Sequence, residues 1–136
     1  MIKLIIGHRG SGKTKRLLAM VEEAVGVSNG NVVCVEKSSV LTYNLTHQAR
    51  LIDSEAYQIT GFDKLFGFLC GILAGNYDIT HLFVDATLRI GGHDYEAFAE
   101  MVRRLDALTK DHGVEITFTV SCDVEDLPED MKQFAI

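Results

Sequence analysis

Four residues of the octet GHRGSGKT have the types and the spacing that hold a phosphate. Gly7, Gly12, Lys13 and Thr14 fall in the order G-x-x-x-x-G-K-T. Glycines at 7, 10 and 12 let a backbone curl until successive N–H groups point into one hollow, where a side chain would clash. A helix starting near Gly12 adds the positive end of its dipole to the same hollow. Lys13 brings a full charge for β- and γ-phosphates, and the Thr14 hydroxyl is a ligand for Mg²⁺. His8, Arg9, Gly10, Ser11 and Lys15 complete the expected phosphate-binding stretch, with His8 and Arg9 either turned to the loop or solvated.

A phosphate loop of this kind needs a carboxylate for the magnesium shell at a nearby strand end. Asp85 closes the apolar run HLFVD and is expected to share the metal with Thr14; its other reading is a cap at a strand end. Arg89, in the polar segment TLRIGGHD just beyond, either reaches a phosphate or stays in solvent. The three cysteines stand far apart with no C-x-x-C pair, and His47, His81, His93 and His112 lack ligand spacing, so no zinc site or disulfide framework is expected.

The octet between an apolar run and a helical run, with the strand ending at Asp85, resembles the P-loop NTPases. The resemblance is carried by residues 2–25 and by that strand. The segment NVVCVEK is similar to the strand-plus-acid segment of the secretion and twitching-motility ATPases, in the RecA-like branch. This likeness implies ATP, or GTP, bound with Mg²⁺. In many related ATPases a glutamate directly follows the aspartate and polarises the attacking water; here Ala86 follows Asp85. In RecA-like proteins and those motors a glutamate ends the strand after the P-loop helix, so the resemblance makes Glu36 the general base, with Lys13 at the phosphates; the other reading of Glu36 is an exposed acid at a strand end. Ser121 resembles a polar position that touches the γ-phosphate. No counterpart of the motors' histidine-containing segment stands in the sequence, and a full motor role is not expected. A slow ATPase leads, ahead of a binding module that senses nucleotide without cleaving it; a small-molecule kinase comes third.

The elements that must position these residues alternate. Ile2–Ile6 is a short apolar run that predicts a buried strand, and Thr14–Val25 predicts a helix with Leu17, Leu18, Val21 and Val25 on one stripe and Gly26 at its end. Val32–Val35 predicts a second strand closed by Glu36, and Arg50–Asp53 a further short one. Thr60 with Asp63 has the form of a capping box for a helix to Gly75, cored by Leu65, Phe66, Leu69, Ile72 and Leu73. The strand THLFVDA is followed by a loop through TLRIGGHD. A helix over Tyr95–Lys110 turns Phe98, Met101, Val102, Leu105 and Leu108 inward, and Gly113 stops it. EITFTV predicts a last strand, and Pro128 opens a short final helix. Strands alternating with helices mean crossover connections: an α/β fold, a small three-layer sandwich with a mainly parallel sheet, whose core the resemblance makes a RecA-like P-loop one. Ligands of such sheets sit beyond the carboxyl ends of the strands, where Gly7, Glu36, Asp85 and Ser121 all fall.

With 136 residues the chain is one domain over 1–136, and 47% hydrophobic with 24% charged residues is globular composition. A net charge of −6 argues against a surface for nucleic acid. The longest apolar stretch, Phe62–Ala74, is too short to span a bilayer and holds Asp63 and Lys64. The cytoplasm is the expected compartment, with the thiols reduced. That same stretch carries Phe68 and Cys70 off its main stripe, which points to burial ahead of contact with a second subunit or a protein partner.

Overall fold

A computed structural model describes residues 1–38 and 48–136. Five strands, β1 (Ile2–Gly7), β2 (Asn31–Glu36), β3 (Ala49–Asp53), β4 (Ile79–Val84) and β5 (Glu115–Ser121), form one sheet in the order β1-β5-β4-β2-β3. Every pairing is parallel. Parallel neighbours need long crossovers, and among the described residues four α-helices accompany them: α1 (Lys13–Val27), α2 (Phe62–Gly75), α3 (Thr87–Gly91) and α4 (Tyr95–Thr109). The α/β fold with helices on both faces of a parallel sheet is as expected, and the segment around Arg50–Asp53 is indeed a strand, placed at one edge. His47 lies outside the described residues.

Side-chain parity divides the core. Ile5, Val32, Cys34 and Phe83 face α1 and pack on Leu17, Val21 and Ala24. Leu4, Val33, Leu82 and Phe118 face the other way, onto Leu65 and Leu69 of α2 and Phe98 and Val102 of α4. A final 3₁₀ segment, Glu129–Phe134, follows Pro128 and seals β1, with Met131 fully buried and Ala135 bridging to Leu4. Arg103 of α4 holds this segment by two bonds to Asp130, Nε to Oδ2 at 2.7 Å and Nη2 to Oδ1 at 2.9 Å.

Local expectations fail in three places. TLRIGGHD is not a loop throughout, because Leu88 and Ile90 insert into the core and wind residues 87–91 into α3. The expected capping box of α2 does not form; Gly61 occupies the cap at φ 95°, a conformation that favours glycine, and donates its N–H to the Ile90 carbonyl at 3.0 Å. That bond docks α3 on the start of α2, where a Cβ at Gly91 would overlap the Phe62 ring. Leu108 is 53% exposed, and Thr109 is buried in its stead with its hydroxyl bonded to the Leu105 carbonyl at 2.8 Å. Burial satisfies the apolar α2 in part: Phe66, Phe68, Cys70, Ile72 and Leu73 pack half-buried on the core.

Candidate functional site: the glycine loop before α1 and an acidic cleft

β1 ends at Gly7 and α1 starts at Lys13, so the expected phosphate loop spans the turn between them. Gly10 and Gly12 take φ of 85° and 86°, where a Cβ would be strained. A Cβ at Gly7 would stand 2.7 Å from Ser11 Oγ, a contact that rotation of the serine side chain relieves. Ser11 N–H donates to the His8 carbonyl at 3.1 Å, closing the turn, and Lys13 Nζ donates to the same carbonyl at 2.7 Å. Partial burial lowers the Lys13 pKa, opposed by the nearby Asp85 and Cys122. The His8 ring pairs with Asp123, Nε2 to Oδ1 at 2.7 Å, on the segment after β5. Arg9 and Lys15 are exposed. Arg9 and Lys15 thus face outward at the head of α1, while Lys13 folds back on the loop.

Parity brings the acids to this side of the sheet. Asp85 follows Phe83, and Glu36 follows Cys34, by two residues each, so both side chains emerge on the α1 face. Val35 pairs with Val84, which sets Glu36 and Asp85 one step further on at adjacent strand ends. Asp85 N–H donates to the Val35 carbonyl at 2.9 Å and fixes that neighbourhood. Both acids are buried, at 4% and 7% exposure. Thr14, in the first turn of α1, donates toward Asp85 at 3.3 Å from Oδ1 and 3.2 Å from Oδ2. Thr14, Glu36, Asp85, Ala86 and Arg89, with Lys37, line a cleft of about 170 Å³. Lys37 Nζ donates to the Arg89 carbonyl at 3.1 Å, across the mouth of this cleft.

The residues expected to share a magnesium ion, Thr14 and Asp85, are thus in direct contact, and both offer the hard oxygen atoms that this cation takes. The donor set fits. Glu36 and Arg89 join the same cleft. Ser121 does not line it: this exposed residue stands opposite Gly7 in the β1–β5 register.

Thr119 is the residue that sequence reasoning missed. Its hydroxyl donates to Asp85 Oδ1 at 2.6 Å and accepts the Ala86 N–H at 2.9 Å. Ala86 itself adopts φ 53°, left-handed although it carries a Cβ. A signal existed in the alternation of Thr117, Thr119 and Ser121 with Phe118 and Val120, which puts three hydroxyls on the α1 face of a buried strand.

A larger cavity of about 360 Å³ lies at the opposite end of the sheet, between the last turns of α2 and α4. Its walls are mainly apolar (Cys70, Leu73, Ile79, Leu108 and Val114 among them), and it contains none of the expected site residues. Among the described residues no group of three or more His, Cys, Asp or Glu side chains is placed to hold a metal, and no helix is long and apolar enough to cross a membrane. No protein-family model matches the chain, and no curated protein matches its sequence.

Proposed function

We propose that the chain is a P-loop NTPase of the RecA-like branch that binds ATP, or GTP, with Mg²⁺ and hydrolyses it slowly. The observation that carries this reading is the contact of Thr14 with Asp85 beside a complete phosphate-loop sequence. Gly10 and Gly12 in left-handed conformations, and Lys13 at the start of α1, suit the loop to phosphate oxygens. Thr14 and Asp85 would hold the magnesium ion, which supplies charge neutralisation at the terminal phosphates. Glu36, buried beside Asp85 and lining the same cleft, is the group proposed to take a proton from water. Lys13 would swing from the His8 carbonyl to the phosphates, an exchange that gives up one exposed bond. Arg89 enters the cleft from α3 and would add positive charge opposite the two acids.

Hydrolysis asks of this cleft only the acids Glu36 and Asp85 that line it, whereas a kinase would need an acceptor site as well. Hydrolysis therefore ranks ahead of a small-molecule kinase. A nucleotide-sensing module is the second reading, favoured by the methyl side chain of Ala86 directly after Asp85. Nucleotide binding by the wild type and by Lys13→Ala tests the common core of both readings. Phosphate release without an added acceptor separates the ATPase from the sensor.

A further inference from the structure

Thr119 sits inside β5, 2% exposed, with both neighbours of its hydroxyl belonging to the candidate site. A threonine hydroxyl has one proton to give and lone pairs to accept with. Ala86 N–H occupies one lone pair at 2.9 Å, and the proton goes to Asp85 Oδ1 at 2.6 Å. The second distance is in the short range of hydroxyl–carboxylate bonds. Asp85 can then rotate little about its last torsion, and the carboxylate stays turned to Thr14, whose hydroxyl reaches both of its oxygens. On the other side, the bond secures the left-handed Ala86, a conformation disfavoured for any residue with a Cβ. Ala86 is the cap of α3, whose carbonyl accepts the Arg89 and Ile90 N–H groups. One hydroxyl thus joins the orientation of the acid to the placement of the arginine.

We propose that Thr119 is a positioning residue for the magnesium–nucleotide site, holding the Asp85 carboxylate toward Thr14 and the Ala86 turn that delivers Arg89. This rests on the nucleotide reading given above. It adds a role for a side chain whose hydroxyl acts through Asp85 and Ala86.

The experiment is a titration of Mg²⁺ against fluorescent ATP, with metal-free nucleotide affinity and melting temperature measured on the same samples. Thr119→Val removes the hydroxyl but keeps the branched shape, and Thr119→Ser keeps the hydroxyl. The valine chain is expected to need about 10- to 100-fold more Mg²⁺ for half-maximal binding, the usual effect of losing a partner of a metal ligand. Its metal-free affinity should change by less than about tenfold, because without metal only the placement of Arg89 bears on the phosphates. Serine should restore the wild-type metal requirement. Should the valine chain not fold, Thr119→Ala carries the same expectation. A hydroxyl-free chain that melts lower yet keeps the wild-type metal requirement overturns the proposal, as does failure of both such chains to fold, since either makes Thr119 purely structural. A serine chain as impaired as valine overturns it as well. Wild type that binds no nucleotide, with or without metal, overturns the nucleotide reading and this role together.

Discussion

Asp85→Ala should injure the protein twice, and the two injuries are separable. Without ligand, Asp85 accepts the Thr119 hydroxyl at 2.6 Å and the Thr14 hydroxyl at 3.2 and 3.3 Å. Alanine leaves the buried Thr119 proton with no acceptor, a loss of about 1–3 kcal/mol. The longer Thr14 bond lies partly in solvent and adds about 0.5–1 kcal/mol. A net destabilisation of about 2–4 kcal/mol corresponds to a drop in melting temperature of roughly 6–12 °C for a chain of this size. Asp85→Asn keeps an acceptor oxygen for Thr119 and should lose less than about half of that. Both variants remove the negative charge that the proposed function has Asp85 offer to Mg²⁺, so on that reading both should weaken Mg–nucleotide binding by about tenfold or more while sparing metal-free nucleotide. Calorimetric melts and nucleotide titrations with Mg²⁺ or with chelator read the two effects. An alanine chain melting within about 2 °C of wild type would refute the bonding argument. An asparagine chain with an unchanged metal requirement would refute the metal role.

Two further outcomes are expected. Glu36→Gln should leave nucleotide binding intact and lower turnover by about 10² to 10⁴-fold, as loss of a general base does, and wild-type turnover in a phosphate-release assay would remove Glu36 from the mechanism. Hydrogen bonds from Arg103 hold the Asp130 carboxyl below its ordinary pKa, so this tie contributes stability above the usual carboxylate range and loses it as pH falls through the depressed value. Melting temperatures of wild type and Asp130→Asn should therefore differ at pH 7 and converge in strong acid; a gap that widens on acidification would contradict the assignment.

The local parts of this molecule were legible because short-range physics sets them. An apolar run, a glycine loop and an amphipathic stripe give β1, the loop and α1 within 27 residues. Asp85 was legible from its place after four mainly apolar residues. What joins Glu36 to Asp85 is strand order, a long-range property: β2 and β4 are neighbours although 48 residues separate Val35 from its partner, and β3 lies outside them. Thr119 escaped notice for a related reason, since a threonine in a strand is ordinary by propensity and acquires its role only when β5 is placed against β4. The helix α3 was obscured by its length of five residues and by Gly91 and Gly92, which read as loop until Leu88 and Ile90 have a core to enter. At Leu108 and Thr109 the stripe slipped by one position near the helix end, where a buried hydroxyl bonded to its own helix competes with a leucine.

Calorimetric titration of ATP into wild type and Lys13→Ala, in the presence of Mg²⁺, tests the central claim most directly. Lys13 bonds the exposed His8 carbonyl in the free loop, so the alanine chain should melt close to wild type. Loss of the charged contact to phosphate should weaken binding by about 10- to 100-fold. Tight binding by wild type with that loss in the variant is the predicted result. Equal binding by both chains, or by neither, would contradict it.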